Sequence, residues 1–243
     1  MGLPATPRDD TRSGSNDVQP VQCAMSETTT ETIAGVILAG GRSQRMGGGD
    51  KTLRDLGGRT MLAHIAARLA PQVGRVIVNA NGDAARFETL GLPVIADAAQ
   101  DFAGPLAGIL AGMRWAIANV GQISRIVSVP GDAPFVPRDL VTRLVAASDS
   151  AGGAIAVAQS AGVLHHVTAL WPVTLAGALA SALEEGERPV GNWAARQGII
   201  AVPFDPVRVG EHTVDPFFNI NTPDDYLEAA TLMGLVGTSK RLQ

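Results

Sequence analysis

The chain has 243 residues, of which 46% are hydrophobic, so it is long and apolar enough to bury a full core in one α/β domain. Its formal net charge of −4 argues against the basic surface with which proteins usually bind DNA or RNA. No apolar run approaches the roughly 18 residues needed to cross a bilayer, and the single cysteine, Cys23, cannot form an internal disulfide. We therefore expect a cytoplasmic protein that binds neither nucleic acid nor membrane.

The first 31 residues are rich in Pro, Ser, Thr and acidic residues and have no periodic apolar pattern. Such a composition predicts a disordered N-terminal tail, because it buries too little surface to offset the entropy of ordering. We expect one folded domain over residues 32–236 and a flexible C-terminus over 237–243. Met25 leaves open whether the upstream residues are a regulatory arm or an over-long start.

Strand and helix signals alternate from Ile33 onward. The run IAGVILA is apolar and β-branched, as expected for a strand buried on both faces of a parallel sheet, and a Gly-rich loop follows it. The later predicted elements, in chain order, are a helix capped by Thr60 and closed by Pro71, a strand over 75–79, a helix over 84–90, a strand ending at Asp97, a helix from Gly104, a strand over 124–129, a helix over 137–147, strands over 154–159 and 165–171, a helix over 175–185, a strand over 199–204 and a helix over 223–232.

This alternation predicts an α/β fold of Rossmann-like, three-layer architecture with a mostly parallel central sheet. In such sheets the ligand crevice lies at the carboxyl ends of the strands. The polar candidates of this sequence fall at those ends.

The loop LAGGRSQRMGGGDK, Leu38 to Lys51, predicts phosphate binding, because its glycines let backbone N–H groups approach phosphate oxygens and its cations offset their charge. The alternative is a solvated surface loop. A Walker loop needs Gly immediately before Lys, where this chain has Asp50, and a dinucleotide fingerprint needs the spacing GxGxxG. Neither motif fits.

The loop resembles LAGGxxxRMGxxDK, the signature of the nucleotidyltransferase superfamily of molybdenum cofactor and sugar-phosphate enzymes, and is most similar to the molybdenum cofactor guanylyltransferases. Four further motifs extend the resemblance over about residues 33–233, namely VNAN (78–81), GPLAG (104–108), PGDAPF (130–135) and NINTPDD (219–225). The resemblance implies a nucleotidyltransferase fold and Mg²⁺-dependent transfer of GMP from GTP to molybdopterin-bound cofactor, with release of pyrophosphate. It also implies a monomer and hand-over to molybdoenzyme maturation proteins.

The resemblance assigns roles to the nucleotide-binding residues. The backbone of Leu38, Ala39 and Gly40 contacts the purine, and Gly40 favours guanine, because the related cytidylyltransferases carry LAAG. Lys51 is a point charge on the phosphates, and Arg45 is a forked donor to the departing pyrophosphate.

The same resemblance places three side chains at strand ends. Asn79 and Asp97 read the base or the ribose, whereas the alternative for each is capping a turn. Asp132 binds Mg²⁺, a hard cation that one carboxylate plus phosphate oxygens satisfies, and its alternative is a turn before Pro134. Either Asn219 or Asn221 completes these contacts. We assign Thr222 and Asp225 to a capping box of the last helix.

The acceptor side is less determined. His165 and His166 are neighbours on a strand, so their side chains point to opposite faces and cannot bind one metal together; one of them, with His165 as the candidate, faces the acceptor, or neither does. Arg188 either pairs with the pterin phosphate or is a solvated helix start. Trp193 either stacks on the pterin or packs internally.

Two competing functions stay open at this point. One is a cytidylyltransferase, or another enzyme of the same fold that transfers a nucleotide to a phosphorylated acceptor. The other is a nucleotide-binding module without catalysis, which the loop cations together with Asp132 argue against. We expect no protein nucleophile, because the acceptor phosphate is already ionised near neutral pH.

Overall fold

The computed structural model describes residues 1–2, 32–40, 50–97, 104–119 and 123–234. The predicted tail from residue 3 onward, most of the Gly-rich loop and the predicted flexible C-terminus lie outside these ranges. Arg45, one of the predicted catalytic residues, is among the residues not described. Within the described ranges, no helix combines the length and the apolar character that a membrane span requires.

Seven strands form the central sheet, in the spatial order β3-β2-β1-β4-β6-β5-β7. They are β1 (Ile33–Leu38), β2 (Arg75–Asn79), β3 (Val94–Ile95), β4 (Arg125–Pro130), β5 (Ile155–Ser160), β6 (Val163–Pro172) and β7 (Ile199–Pro203). Strands β3, β2, β1 and β4 are mutually parallel, and β5 and β7 are parallel to each other. The sheet is therefore mostly parallel, as predicted.

One strand, β6, runs antiparallel to both of its neighbours, β4 and β5. It follows β5 through a two-residue turn, Ala161–Gly162, in which both residues have positive φ, 46° and 80°. Two consecutive positive φ values are typical of a tight hairpin turn that matches the strand twist. As a result, the start of β6 lies at the edge of the sheet where β4 ends.

Helices cover both faces of the sheet. They are α1 (Met61–Leu69), α2 (Pro105–Asn119), α3 (Leu140–Ser150), α4 (Ala176–Glu184), α5 (Val190–Gln197) and α6 (Pro223–Leu232). The apolar faces of α1 and α3 pack with one face of the sheet, and those of α2, α4 and α5 pack with the other. This is the predicted three-layer arrangement. Thr60 caps α1 and Pro105 begins α2, also as predicted.

Three predicted elements differ from the structure. The strand expected to end at Asp97 pairs with β2 only over Val94–Ile95, because it is the short edge of the sheet. The helix over 84–90 is a 3₁₀ helix, Ala84–Leu90, closed by Gly91 in the left-handed region with φ 61°. The helix predicted from residue 137 begins at Leu140.

The sequence indicated a helix starting at Arg188 only as an alternative, and the structure has α5 there; it did not predict a small hairpin formed by β8 (Val207–Val209) and β9 (His212–Val214). The last helix, α6, packs with Leu56, Met61 and Phe135 in a third apolar cluster. This packing brings the segment before α6 against the turn that follows β4.

Candidate nucleotide-binding site

The carboxyl ends of three strands meet at one edge of the sheet. Leu38, the last residue of β1, pairs with Asn79 at the end of β2 and with Pro130 at the end of β4. The predicted contacts Ala39, Gly40, Asn79 and Asp132 therefore lie at a single edge.

Lys51 joins two of the predicted site residues. Its ammonium donates to Asp132 Oδ2 over 2.7 Å and to Asn221 Oδ1 over 2.8 Å. The Lys51 and Asp132 side chains are 13% and 23% exposed, so the group borders solvent while being partly desolvated. The Ile220 N–H donates to the Asp132 carbonyl over 2.9 Å and holds the NIN segment against the turn. Both asparagines considered are exposed, and Asn221 is the one whose side chain reaches this group.

Local geometry explains why Lys51 and Asp132 meet. Lys51 begins a 3₁₀ turn, Lys51–Leu53, whose N-cap Asp50 accepts from the Thr52 backbone N–H. Gly131, just before Asp132, donates its N–H to the Leu38 carbonyl over 2.9 Å. A side chain at Gly131 would place a Cβ 3.0 Å from both that carbonyl and the Thr52 methyl. Glycine therefore lets the β4 turn close onto the end of β1.

A second polar group lies beside the first, on β2 and the edge of β3. The Asn79 amide nitrogen donates to Asp97 Oδ1 over 3.0 Å and to the Ile95 carbonyl over 3.3 Å. Asn81 donates to Asp97 Oδ2 over 2.7 Å and accepts the Asp97 backbone N–H over 2.9 Å. Asn79 thus binds across the strands instead of capping its own turn.

These partners fix which way the Asn79 amide points. A carboxylate and a carbonyl both accept, so the NH₂ group must face Asp97 and Ile95. The Asn79 Oδ1 then faces Gly108 and Gly40, where added Cβ atoms would lie 2.2 and 3.9 Å from it. The site therefore presents an oriented acceptor.

Gly40 and Gly108 are glycines for different reasons. At Gly108, a Cβ would also lie 2.7 Å from Leu38 Cδ2, so α2 packs too closely on β1 and β2 for any side chain. At Gly40, Asn79 Oδ1 is the only described atom within 4 Å of an added Cβ, and φ lies outside the left-handed region. Neither packing against the described residues nor backbone conformation requires glycine at position 40.

The Lys51 group contains the oxygens that suit a hard divalent cation. Asp132 Oδ2 and Asn221 Oδ1 both lie within 2.8 Å of one positive charge, the Lys51 ammonium. Mg²⁺ prefers such oxygens and usually takes one or two carboxylates together with phosphate and water. In the described ranges no three His, Cys, Asp or Glu side chains cluster as metal ligands. The donor set fits a metal shared with a phosphate.

The capping box at the start of α6 is confirmed. Thr222 accepts from the Asp225 backbone N–H, and the Asp225 carboxylate accepts from the backbone N–H groups of Asn221 and Thr222. These backbone hydrogen bonds lower the pKa of Asp225. The box therefore fixes the backbone of Asn221, whose side chain contacts Lys51.

A further polar cluster surrounds His165, and sequence analysis did not detect it. Ser160 Oγ lies 2.7 Å from His165 Nε2 and donates to Asp215 at 2.8 and 3.0 Å. Since Ser160 has one proton and Asp215 only accepts, His165 is the donor to Ser160. The order is His–Ser–Asp, so His165 does not act as a base toward Ser160. Burial is the main cause that lowers the pKa of His165.

The contacts of the three other candidates for acceptor binding, His166, Trp193 and Arg188, are with neighbouring residues of the protein. His166 points to the opposite face from His165, as predicted, where a Cβ on Gly191 would lie 2.8 Å from its Nε2. Trp193 is 1% exposed and packs beside Trp171, so it has no face free for stacking on a pterin. Arg188 donates to the carbonyls of Leu183 and Glu187.

Helices cover both faces of a mostly parallel sheet, and a lysine, a carboxylate and an oriented amide lie at the carboxyl ends of its strands. This is the arrangement of a nucleotidyltransferase. Residues 35–199 match the sequence model of the MobA-like NTP transferase domain. The chain belongs to this family, and it is an enzyme of the nucleotidyltransferase class.

Known proteins bear this out. The chain is 49% identical over 202 residues to a molybdenum cofactor guanylyltransferase of Mesorhizobium japonicum, covering 83% of this chain and 96% of that protein. It superposes with TM-score 0.64, at 24% identity, on molybdopterin-guanine dinucleotide biosynthesis protein A of Archaeoglobus fulgidus, covering 82% of this chain and 97% of the other. A Mycobacterium tuberculosis structure solved as a manganese complex is 23% identical, with TM-score 0.58 and coverage of 82% and 98%.

Proposed function

We propose that this protein transfers GMP from GTP to molybdopterin-bound molybdenum cofactor and releases pyrophosphate, which yields the guanine dinucleotide form of the cofactor. The observation that carries the proposal is the pair of polar groups at the strand ends. Lys51, Asp132 and Asn221 suit a triphosphate, and Asn79 and Asp97 beside them suit a nucleoside. The relatives that share 45–49% identity with this chain are named for the same reaction.

The order of the residues along the sheet edge assigns each a part. Asn79 Oδ1 accepts a donor of the base or ribose, and Asp97, held by Asn81, is a second acceptor next to it. We place the purine edge against Gly40, where Asn79 Oδ1 is the described atom nearest to an added Cβ, at 3.9 Å. Lys51 carries the compensating charge to the phosphates, and we retain Arg45 as the predicted donor to the departing pyrophosphate.

The chemistry requires positioning more than bond-making by the protein. An oxygen of the acceptor phosphate attacks the α-phosphorus of GTP in line. One P–O bond forms as the bond to the β-phosphate oxygen breaks, and pyrophosphate leaves. No side chain needs to act as nucleophile, and the buried Ser160 hydroxyl donates to Asp215 while it accepts from His165.

We propose that Mg²⁺ is held by Asp132 with help from Asn221. When bound, it supplies charge that a lone lysine does not provide against a triphosphate. With the metal bound, Asp132 and Asn221 would no longer need the Lys51 ammonium as their partner. The ammonium would then be able to move onto the phosphates, because the four-carbon side chain of lysine is flexible. Metal binding by Asp132 would therefore be linked to movement of the Lys51 ammonium onto the phosphates.

Pyrophosphate release tests this function. Purified protein with Mg²⁺ and molybdopterin should release pyrophosphate with GTP and not with ATP, CTP or UTP. Equal turnover with CTP would contradict the guanine assignment. Turnover with a sugar 1-phosphate in place of molybdopterin would contradict the acceptor assignment. Omitting the acceptor from the GTP reaction controls for simple hydrolysis.

Several expectations of the sequence analysis stay predictions. They are the cytoplasmic location, the monomeric state, the hand-over of product to molybdoenzyme maturation proteins, the disordered tail over residues 1–31, the domain bounds 32–236 and the flexible C-terminus over 237–243.

A further inference from the structure

Arg86 lies between the two polar groups of the site. It belongs to the 3₁₀ helix Ala84–Leu90, and its Nη2 donates to the Asn81 carbonyl over 2.6 Å. Its Nε lies 3.3 Å from Asp50 Oδ2, and its guanidinium lies over the Phe87 ring at 4.7 Å. Its side chain is 35% exposed, yet these contacts hold it in one orientation.

One arm of Arg86 reaches the phosphate side of the site. Asp50 uses its Oδ1 to accept from the Thr52 N–H and hydroxyl, at 3.2 and 2.7 Å, and this caps the turn that carries Lys51. The other oxygen, Oδ2, faces Arg86. The carboxylate is therefore held from both sides, and the backbone of Lys51 is held with it.

The other arm reaches the nucleoside side. The Asn81 backbone carbonyl accepts from Arg86, while the Asn81 side chain binds Asp97 through two hydrogen bonds of 2.7 and 2.9 Å. Asp97 in turn accepts from Asn79. A continuous chain of contacts thus runs from Asp50 through Arg86 and Asn81 to Asp97. We call this chain the Arg86 bridge.

We propose that Arg86 is a positioning residue that anchors the nucleoside-side residues Asn81 and Asp97, and through them Asn79, on Asp50 at the phosphate side. The inference rests on the proposed function. Arginine suits the role because its planar, forked guanidinium meets two partners at a fixed separation, whereas lysine is a single flexible donor. An exposed ion pair adds little to stability by itself, so the bridge acts on ligand affinity more than on folding.

The alternative role for Arg86 is direct contact with the triphosphate. Asp50 already pairs with its charge, and its second arm is committed to a backbone carbonyl. A direct phosphate contact would make the effect of mutation grow with the number of phosphates. A bridge would weaken all guanine nucleotides alike, because the nucleoside contacts are misplaced whatever the phosphate count.

Binding of GMP, GDP and GTP by calorimetry separates these cases. We expect Arg86→Ala to weaken all three by a similar factor, about tenfold, the size of one lost hydrogen bond to a charged group. Arg86→Lys should not restore affinity, because it keeps the charge and loses the fork. Arg75→Ala, exposed at the opposite end of β2, is the matched control and should bind as wild type. In the pyrophosphate assay Arg86→Ala should raise the KM for GTP and leave the KM for the acceptor unchanged.

Three results would overturn the bridge: a loss that grows from GMP to GTP, full recovery with lysine, or unchanged binding in Arg86→Ala. Amide exchange without nucleotide gives an independent readout, since the backbone N–H groups of Thr52 and Asp97 bond to the bridged side chains. Both should exchange faster in Arg86→Ala than in Arg75→Ala. If wild type binds no guanine nucleotide, the proposed function fails. Amide exchange then decides the bridge, and unchanged exchange at both amides refutes it.

Discussion

The Lys51 ammonium lies 2.7 Å from the Asp132 carboxylate, although 81 residues separate them in the chain. The turn after the Gly-rich loop and the turn after β4 are thereby joined at the edge of the sheet. The pair is partly exposed, so its own contribution to stability is about 1 kcal/mol or less. Its position at the strand ends points to ligand binding as the reason for its arrangement.

Asp132→Asn should abolish most activity while leaving the fold intact. The substitution keeps the size and an oxygen but removes the charge that pairs with Lys51 and that, in the proposed function, holds Mg²⁺. We expect kcat/KM for GTP to fall by at least about a hundredfold, the scale of losing one oriented charge at a reacting phosphate. The melting temperature should change by only a few degrees, about the shift for 1 kcal/mol in a domain of this size.

Asp149→Asn is the control for that variant. It removes an ion pair of similar length, Arg125 to Asp149 at 2.6 Å, whose carboxylate is 58% exposed. Arg125 begins β4, so this pair lies at the end of the strand opposite to the carboxyl end that carries the site. Its kcat/KM should match wild type. Full activity in Asp132→Asn would remove Asp132 from the mechanism.

Gly40→Ala should impair nucleotide binding without destabilising the protein. The nearest described atom to the new Cβ is Asn79 Oδ1 at 3.9 Å, an ordinary contact. If the purine edge fills this space, one methyl group collides with it, and we expect GTP affinity to fall about tenfold or more. Unchanged GTP binding, measured by calorimetry, would show that the base lies elsewhere.

The sequence predicted most of the fold because its periodic apolar runs are long and its strands are buried. The ends of β2 and α6 were predicted exactly, at Asn79 and Leu232. The edge strand β3 was overestimated, since its length depends on a neighbour's register rather than on its own residues. Helix α5 stood only as an alternative, a helix start at Arg188, because Gly191 interrupts its signal; in the fold that glycine accommodates the His166 ring.

The site residues also divide into those that the sequence identified and those that it did not. Lys51, Asn79, Asp97 and Asp132 stand in motifs, and their convergence follows from strand ends meeting at one edge. The sequence could have identified Asn81, which is the second asparagine of the VNAN motif. It could not have identified Arg86, because the partners of Arg86 are a carboxylate and a backbone carbonyl that the loops bring near, and no sequence spacing connects them.

Gly108→Ala should destabilise the protein through close packing of α2. The added Cβ would lie 2.2 Å from Asn79 Oδ1 and 2.7 Å from Leu38 Cδ2, so α2 or β2 must shift. We expect a loss of about 1–3 kcal/mol in the free energy of unfolding, measured by urea denaturation. The same shift displaces Asn79, so GTP affinity should also fall.

Gly177→Ala is the matched helical control. Gly177 is exposed within α4, and no described atom lies within 4 Å of its added Cβ. Alanine should therefore stabilise the protein by roughly 0.5–1 kcal/mol through helix propensity. Equal effects of the two substitutions would contradict the close approach of α2 to the site.

His165 should make the stability of the protein depend on pH. Burial is the main cause that lowers its pKa below the ordinary value of 6.5; His166 also lowers it, and Asp215 opposes the change. Below about pH 6.5 the unfolded chain takes up a proton that folded His165 refuses. The free energy of unfolding should therefore be greatest above that pH and fall as the pH decreases toward the lowered pKa.

His165→Gln tests this dependence because glutamine can still donate to Ser160 but does not titrate. Urea denaturation at pH 7.5 and at pH 5.5 gives the change in the free energy of unfolding for each protein. We expect a larger decrease on acidification in wild type than in the variant. The other histidines are present in both proteins, so their contributions largely cancel in the comparison. Equal decreases would mean that His165 accepts a proton as readily in the fold as in the unfolded chain, which its contacts with Ser160 and Phe217 argue against.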